Sequence, residues 1–315
     1  MEYYIGIDSG GTKTEFILAD AEGSVISRAV DSGCNPLDIG ADPAREIILR
    51  NVRQLDAAAP GPICSIYAGI AGANHVDMHL ETLLAQELGG AAVRVEDDRR
   101  IVVSSTLGHA DGCGMICGTG SSLSILIGSE PIRQVGGLGY LIDTGGSGYE
   151  LGQAGLKEAC RYLDGRGEYT VLADLITKAL GKKPWDSLAN IYAGGRSYIA
   201  SFAHTVFEGM EMGDAVCRRI VEESAYKLSE LTFAAEKYFP GEFPVVMSGG
   251  IFRAYPKYVQ LVCAKASPKA RMILAVVPPV YGALVEAMWQ NGRTADAAVQ
   301  RNFMGSIQRL ESRVN

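Results

Sequence analysis

The sequence lacks the features that mark several large classes of protein. Basic residues are in the minority, because 29 lysines and arginines stand against 36 aspartates and glutamates, and the formal net charge is -7 over 315 residues. A chain with this charge offers no broad electrostatic attraction to nucleic acid or to an anionic membrane. We therefore expect neither as a partner. Any phosphate group must be bound locally, by backbone N–H groups and a metal ion.

Long apolar runs are also missing. The most apolar stretch, 272–289, is interrupted by Pro278 and Pro279, so we do not expect it to span a membrane. The N-terminus leads directly into a predicted strand, without the basic region and apolar core of a signal peptide. These observations favour a cytoplasmic protein.

Groups of metal-ligating residues are scarce. The seven cysteines include no Cys-x-x-Cys pair and lie mostly in apolar segments, which predicts buried thiols in a reducing compartment. His75 and His79 are four residues apart in a predicted helix, 75–88, but no Glu-x-x-His pattern accompanies them. The sequence thus argues against a zinc site.

What the sequence does contain is enough apolar material for about two domains, with 47% hydrophobic residues. Three short strands with a glycine turn come first, and helices and strands then alternate, which predicts a mixed sheet with helices on its faces. A second pattern of strand, glycine turn, strand, turn and strand begins at Gly112. The repeat predicts two similar α/β lobes, with a junction near 107–112.

The first glycine turn combines groups that can hold a phosphate. Gly10 and Gly11 allow backbone N–H groups to approach an anion closely, Thr12 adds a hydroxyl group, and Lys13 adds a cation. Asp8 ends the preceding strand, and a carboxylate beside an anion site makes sense if Mg²⁺ lies between them. An ordinary β-hairpin turn would have the same sequence, so this turn alone leaves phosphate binding open.

Two further glycine segments follow strands. In the second lobe, Gly118-Thr-Gly-Ser-Ser122 occupies the position that the first glycine turn has in the first lobe. Cys117 stands there in the position of Asp8. Two such turns facing each other across a cleft could hold a polyphosphate from both sides. Ser248-Gly-Gly250 is either a simple strand-to-helix turn or a close approach to a flat ligand such as adenine.

Asp97 and Asp98 follow a predicted strand at its carboxyl end, where α/β sheets bind ligands. A helix is predicted from Arg99 onward, and we interpret Asp98 as its N-cap. Asp97 would then point into the site and be ionised near neutral pH. It could accept the proton of an attacking hydroxyl group, since phosphoryl transfer depends mainly on positioning and charge neutralisation and needs only a modest base.

Taken in order, these segments resemble the actin-like sugar kinase superfamily. More narrowly, they resemble the N-acetylglucosamine kinase family, which is grouped with the BadF/BadG/BcrA/BcrD ATPases. The resemblance covers nearly the whole chain, and the ordered set of segments is specific. The segments are Gly6 to Thr14, Cys34-Asn35, Val95 to Asp98, Cys117 to Ser121, Gly136 to Tyr140, Gly145 to Tyr149 and Ser248 to Arg253.

The resemblance implies an α/β fold of two ribonuclease-H-like (actin-like ATPase) lobes around a nucleotide cleft, with ATP and Mg²⁺ as cofactors. The implied N-terminal lobe is 1–108, joined by a C-terminal helix at 294–315, and the implied C-terminal lobe is 109–293. The implied reaction is ATP-dependent phosphorylation of an amino sugar, N-acetylglucosamine and/or N-acetylmuramic acid. A homodimer is expected.

By position, the resemblance also implies the site residues. Asp8 corresponds to the metal-side carboxylate, and Asp97 corresponds to the catalytic aspartate of the family's usual Asn-Asp-Ala segment. The implied nucleotide-binding residues are Gly10, Gly11, Thr12, Lys13, Gly118, Thr119, Gly120, Gly249, Gly250 and Ala254. The implied acceptor-binding residues are Asn35, Gly72, Asp97, Ser121, Ser122, Gly139, Tyr140 and Thr144.

Two departures from the family pattern concern the acceptor. The family commonly reads Gly-Gly-Trp-Gly and then Gly-Asp-Glu-Gly-Ser. This chain has Leu138 in place of the tryptophan, and Thr144 where an acidic sugar ligand is expected, with Asp143 one residue earlier. A neutral residue loses a charge-assisted hydrogen bond to a sugar hydroxyl group. It would suit an acceptor with its own carboxylate, such as N-acetylmuramic acid.

Two other functions stay open. One branch of the family activates 2-hydroxyacyl-CoA dehydratases with ATP and binds a [4Fe–4S] cluster between subunits through cysteines. Cys113 and Cys117 are the only close pair here, on one face of a predicted strand, and Cys117 adjoins the phosphate turn. An actin-like scaffold or chaperone would need no acceptor site, and Asn35 and Asp97 argue against that class.

Overall fold

The computed structural model describes residues 2–11, 13–128, 132–143 and 145–312. Within them the chain is an α/β protein with two five-stranded sheets, which confirms the predicted fold class. The chain divides into two compact units. Unit 1 consists of Met1–Gly112, Leu126–Ile132 and Ala275–Asn315, and unit 2 consists of Cys113–Ile125 and Arg133–Leu274.

Both sheets have the same strand order. The strands of the first are β1 (Tyr3–Ser9), β2 (Lys13–Asp20), β3 (Val25–Ser32), β4 (Ile63–Ile70) and β5 (Ala92–Glu96), in the order β3-β2-β1-β4-β5. The strands of the second are β6 (Gly112–Cys117), β7 (Ser121–Leu126), β8 (Arg133–Val135), β9 (Phe243–Ser248) and β10 (Ala270–Leu274), in the order β8-β7-β6-β9-β10. In the first sheet, β4 is parallel to β1 and β2 is antiparallel to it, so the sheet is mixed as predicted.

Helices cover the sheets and connect the strands. In chain order they are α1 (Pro36–Ile39), α2 (Ala41–Ala58), α3 (Leu80–Glu87), α4 (Arg99–Leu107), α5 (Gly148–Leu163), α6 (Leu172–Leu180), α7 (Leu188–Ser201), α8 (Ala203–Glu211), α9 (Ala215–Ala235), α10 (Gly250–Ala254), α11 (Pro256–Lys265), α12 (Pro279–Gln290) and α13 (Ala297–Glu311). Short 3₁₀ turns lie at Ala73–His75, Pro184–Ser187 and Glu236–Tyr238.

The sheet of unit 1 is buried on both faces. Side chains alternate between the faces along each strand, so Ile5 and Ile7 pack on one side while Tyr4 packs on the other. The first side is covered by α2, whose buried Ile48 and Val52 are spaced for one helical face. The central strands therefore read as nearly continuous apolar runs.

The last part of the chain returns to unit 1. Residues 275–293, which the predicted division assigned to the C-terminal lobe, belong to unit 1 here. A Cβ atom on Gly282 would lie 1.9 Å from the carbonyl oxygen of Ile101, so α12 packs against α4 in backbone contact. The buried Phe303 places α13 on the same side of the sheet. An apolar segment shows that a helix is buried, but not which sheet it covers.

The predicted helix over 75–88 is wrong at its start. A 3₁₀ turn ends at His75, and α3 begins only at Leu80. The carboxylate of Asp77 accepts the backbone N–H of His79 at 2.8 Å, and His79 adopts a left-handed conformation with φ 54°. This local side-chain turn competes with the helix for the backbone donors.

Candidate active site

The first glycine turn closes a hairpin between β1 and β2. The Gly10 N–H donates to the carbonyl oxygen of Lys13 at 3.0 Å, and Gly11 is exposed at the tip. A Cβ atom on Gly33 would lie 2.4 Å from the carbonyl carbon and oxygen of Gly11, so the segment after β3 packs directly on the turn. The turn is thus supported on one side and open on the other. Thr12, predicted to contribute a hydroxyl group, lies outside the described residues.

A chain of hydroxyl groups fixes this turn from within. The backbone N–H of Cys34 donates to Ser9 Oγ at 3.3 Å, and Thr14 Oγ1 donates to the carbonyl oxygen of Ser32 at 2.8 Å. Ser9 Oγ and Thr14 Oγ1 are 2.9 Å apart, so Ser9 donates the hydrogen bond between them, because the Thr14 hydrogen is already used. Sequence analysis missed both hydroxyls, although they stand opposite each other in the β1–β2 register.

Lys13 has a partner that sequence analysis did not foresee. Its Nζ atom is 3.0 Å from Glu15 Oε2, and Glu15 is buried while the Lys13 side chain is 54% exposed. Glu15 also accepts a hydrogen bond from Arg28 Nε at 2.8 Å. The ammonium group is therefore held over β2. Its predicted contact with a phosphate stays a prediction.

Asn35 and Gly72, two predicted acceptor residues, meet in unit 1. The side-chain oxygen of Asn35 caps α1 by accepting the Leu37 N–H at 2.9 Å. Gly72 has φ +82°, and a Cβ atom there would lie 2.5 Å from Asn35 Oδ1. Only glycine fits at this position, because a side chain would be strained by its backbone angle and would displace the asparagine.

Asp97 is buried and bound by the neighbouring arginine. Arg99 Nε and Nη2 donate to its two carboxylate oxygens, the latter at 2.8 Å, and the Arg99 backbone N–H reaches Oδ1 at 3.3 Å. Burial alone would raise the pKa of Asp97, but the Arg99 hydrogen bonds and charge hold it below its usual range. Asp97 is therefore a carboxylate with both oxygens occupied.

Asp98 stands at the predicted N-cap position of α4 but does not cap the helix with its side chain. It precedes α4 with φ -63°, but its carboxyl group makes no capping hydrogen bond, and the Arg99 N–H is bound by Asp97 instead. The pKa of Asp98 is raised well above its usual value by burial first, then by the charge of Asp97 and a hydrogen bond with it, and by the charge of Asp8. Asp8 and Asp98 lie at the same edge of the first sheet, because β1 and β5 both run parallel to β4 and Asp8 and Glu96 both pair with Gly69.

This group of carboxyls fits one Mg²⁺ ion better than a closed metal cage. Among the residues that the structure describes, no three acidic, histidine or cysteine side chains converge on one point. Mg²⁺ is usually held by one or two carboxylates, together with phosphate oxygens and water. Asp8, beside the exposed Gly11, supplies that kind of oxygen donor. A cation there would also offset the repulsion that raises the Asp98 pKa.

The second glycine turn, in unit 2, is bound to the start of α5. The Gly148 and Tyr149 N–H groups donate to the carbonyl oxygens of Gly118 and Thr119 at 2.8 and 3.1 Å. Gly120 is exposed at the tip. The helix start therefore fixes the turn, and its positive dipole end favours an anion nearby.

The third glycine segment packs on the second turn. Gly249 has φ +122°, and a Cβ atom there would lie 2.1 Å from the carbonyl oxygen of Cys117. The next residue, Gly250, starts the short helix α10, which ends at Ala254. The segment is thus a strand-to-helix turn whose close backbone contact is with Cys117, and its predicted approach to adenine stays a prediction. The structure thus brings together two of the predicted nucleotide segments.

The predicted acceptor segment of unit 2 forms a tight loop. The Asp143 N–H donates to the carbonyl oxygen of Gly139 at 2.8 Å, and the Tyr140 ring lies 5.2 Å from that of Tyr149. Ser121 Oγ donates to the carbonyl oxygen of Gly145 at 2.5 Å, which ties this loop to β7, whereas Ser122 is only half-buried. Thr144 lies outside the described residues.

The cysteines are mostly buried, as predicted, although Cys263 is exposed. Burial raises the pKa of Cys113 to about 12 and raises that of Cys117 as well, and the Cys117 thiol donates to the Gly146 carbonyl oxygen at 3.1 Å. The iron atoms of an iron–sulfur cluster are bound by cysteine thiolates, and burial disfavours the ionised form of these two thiols. The donor set therefore argues against the iron–sulfur alternative.

Two sheets of one strand order, each with a glycine turn after its central strand, form the fold that actin-like sugar kinases and ATPases share. A solved structure from Chromobacterium violaceum, of a provisionally designated N-acetylglucosamine kinase, has this fold. It matches with a TM-score of 0.72 over 90% of this chain and 98% of the other, at 22% identity. The chain belongs to the BadF/BadG/BcrA/BcrD ATPase family, whose family model matches residues 5–289.

Two curated relatives extend the comparison. The chain is 30% identical to an N-acetylmuramic acid/N-acetylglucosamine kinase of Clostridium acetobutylicum over 240 residues, or 72% of this chain and 77% of the relative. It is 27% identical to an N-acetyl-D-glucosamine kinase of Dictyostelium discoideum over 316 residues, or 91% of this chain and 98% of the relative. Among the helices that the structure describes, none is long and apolar enough to cross a membrane.

Proposed function

We propose that this protein transfers the γ-phosphoryl group of ATP to a hydroxyl group of N-acetylglucosamine and/or N-acetylmuramic acid. The observation that carries the proposal is the placement of Asp8, Asp97 and Asp98 at one carboxyl edge of the first sheet, where the turn with the exposed Gly11 also lies. Such a site can hold a metal–phosphate complex and a proton acceptor together. The acceptor class comes from the amino-sugar kinases to which the chain is similar.

ATP and Mg²⁺ fit the groups that each unit offers. In unit 1, Asp8 would hold the ion, and the turn at Gly10 and Gly11 would face phosphate oxygens. In unit 2, the turn at 118–120 would bind phosphate through its backbone, and the segment at 249–250 and Ala254 would face the adenosine. When bound, Mg²⁺ neutralises the charge of the phosphates. Every other group named here binds, orients or takes up a proton.

Within this proposal, Asp98 is better placed than Asp97 to accept the proton of the attacking hydroxyl group. The Asp97 oxygens are occupied by Arg99, and its lowered pKa makes it a weak base. The pKa of Asp98 is instead raised, by burial first and then by Asp97 and Asp8, so its carboxylate is the stronger base of the two when ionised. The catalytic role predicted for Asp97 stays a prediction, which substitution of each residue in turn tests.

The test is a coupled assay of ADP release, with purified protein, ATP and Mg²⁺, across free hexoses, hexosamines and N-acetylated amino sugars. We expect release to depend on the sugar and to be fastest with an N-acetylated amino sugar. Mass spectrometry of the product should show one added phosphoryl group. ATP hydrolysis that no sugar accelerates would contradict the proposal and would favour an activator or scaffold. A homodimer and a cytoplasmic location also stay predictions, which light scattering and cell fractionation test.

A further inference from the structure

Unit 2 contains a pocket of about 490 Å³ between α5 and α7, here called the α5–α7 pocket. Its walls are mainly apolar and aromatic. They include Tyr140, Tyr149, Leu156, Leu188, Tyr192 and Ile199. The volume lies in the range of small-molecule sites, which are typically apolar with a few placed polar groups.

The pocket stays open because α7 is poorly covered. Every residue of α7, all of which the structure describes, is at least partly exposed, and Tyr192 is 81% exposed. Gly195 interrupts the helix with φ 59° and ψ -154°, so α7 bends where it borders the pocket. Apolar side chains so exposed are candidates for contact with a ligand.

Two cations stand among these apolar walls. Lys157 of α5 and Arg196 of α7 both line the pocket and are both exposed. Within the described part of the chain, neither side chain has an ion-pair partner or a hydrogen bond. In a protein of net charge -7, two unpaired cations at one apolar pocket form a local site for an anion.

The pocket adjoins the predicted acceptor segment. Tyr140 belongs to that segment and also lines the pocket, where its ring packs against Tyr149. A sugar bound at Gly139 and Tyr140 would therefore have the α5–α7 pocket next to it. A substituent of that sugar could enter the pocket while the sugar ring stays in place.

We propose that the α5–α7 pocket binds a carboxylate-bearing substituent of the acceptor sugar. The apolar part of the substituent packs on Tyr140 and Tyr192, and its carboxylate pairs with Lys157 and Arg196. The shared chemistry is a short ether or acyl chain that ends in a carboxylate, either a lactyl group or a lactyl group extended by an amino acid. The identity of the sugar ring rests on the proposed function, whereas the anion site rests on the pocket itself.

The experiment uses the full chain with Lys157→Met and Arg196→Met together, which removes both charges and keeps the apolar stems. Its matched control is Lys178→Met with Arg218→Met, two exposed cations of the same unit outside the pocket. For each protein, kcat/KM is measured with N-acetylglucosamine, with N-acetylmuramic acid, and with N-acetylmuramic acid carrying L-alanine on its lactyl group.

The measure of specificity is kcat/KM for a carboxylate-bearing sugar divided by kcat/KM for N-acetylglucosamine. We expect this ratio to be about 10- to 100-fold lower in the pocket variant than in the wild type, because hydrogen bonds to a charged group are removed. The control should keep the wild-type ratio. The lactyl compound whose ratio falls more identifies the natural substituent. An unchanged ratio for both lactyl compounds would overturn the proposal.

Direct binding separates this proposal from the proposed function. Calorimetry without nucleotide should show N-acetylmuramic acid binding to the wild-type protein and at least tenfold weaker binding to the pocket variant, even if no sugar is phosphorylated. Equal binding to both proteins would refute the anion site. A loss of dimer in the pocket variant with unchanged sugar binding would also refute it, because the pocket would then meet a second copy of the chain.

Discussion

At the scale of single residues, the surroundings of two adjacent aspartates shift their pKa values in opposite directions. Asp97 is ionised and bound by Arg99, while the pKa of Asp98 is raised by burial and by the two carboxylates near it. The sequence Asp-Asp-Arg contains all three groups, but nothing in it shows which carboxyl the guanidinium binds. This pairing separates the roles of the two residues and leads to two predictions.

Asp98→Asn should lower kcat by about 10²- to 10⁴-fold, the usual effect of losing a general base. The free energy of unfolding near pH 7 should stay the same or rise, because a carboxyl group disfavoured by Asp8 and Asp97 is removed. Steady-state kinetics and urea unfolding measure the two effects, and ATP binding serves as the control. Less than a tenfold fall in kcat would show that Asp98 is not the base.

Asp97→Asn should act mainly on stability. It leaves the Arg99 guanidinium, whose side chain is 13% exposed, without its anionic partner, and breaking a buried pair in this way costs about 3 kcal/mol. Urea unfolding measures this loss, and Arg99→Met should lower stability similarly. If Asp97→Asn instead keeps its stability and loses more than a hundredfold in kcat, the catalytic role predicted from the sequence is restored to Asp97.

At the scale of elements, β3 is tied to α2 by one carboxylate. Asp31 Oδ2 accepts hydrogen bonds from Arg50 Nη2 at 2.6 Å and Asn51 Nδ2 at 2.8 Å. These bonds, with that of Asn51 first, lower the pKa of Asp31 to about 2. The folded-state pKa lies below the unfolded value near ~3.9, so the stabilisation is present above about pH 4 and is lost as the pH falls towards 2.

Asp31→Asn should therefore lower the free energy of unfolding near pH 7 by about 1 kcal/mol, a value discounted for solvent screening because the Asp31 side chain is 25% exposed. The difference from wild type should shrink as the pH falls from about 4 towards 2. Urea unfolding at several pH values measures it. Asp42→Asn is the control, since that side chain is 77% exposed beside Arg45 and should change little. A difference independent of pH would contradict the assigned pKa.

Sequence patterns predict the positions of helices and strands better than they predict where each one begins and ends. The central strands are apolar runs beside glycine turns, and the structure has them where the sequence predicts them. The helix predicted from His75 fails because the hydrogen bond from the His79 N–H to Asp77 is a local alternative that periodicity does not reveal. Apolar spacing therefore locates an element, while its end depends on individual hydrogen bonds.

At the scale of the whole molecule, unit 1 contains the start and the end of the chain. Helix α13 packs its Phe303 ring 4.9 Å from Tyr281 of α12, and Ser306 Oγ accepts the backbone N–H of Val25 at 2.8 Å. Contacts between residues that are separated by nearly the full length of the chain are slow to form during folding. Unit 1 thus depends on contacts between residues that are far apart in the sequence.

Phe303→Ala should destabilise unit 1 by about 3–5 kcal/mol, because it leaves a cavity where a fully buried ring was. Thermal unfolding followed by calorimetry measures the loss. Arg301→Ala on the exposed face of the same helix should shift the transition little. Equal effects of the two substitutions would contradict the packing of α13 on unit 1.

The sequence by itself determined the α/β class, the repeated strand and glycine-turn pattern, and the family resemblance, because these depend on the periodicity and backbone freedom of a few neighbouring residues. Only the tertiary structure decided that Arg99 binds Asp97, that Asp8 and Asp98 share one edge of the first sheet, that α12 belongs to unit 1, and that Lys157 and Arg196 line one pocket. Each of these outcomes depends on packing, on which side chains end in contact, and on the burial and charge that they then impose on one another.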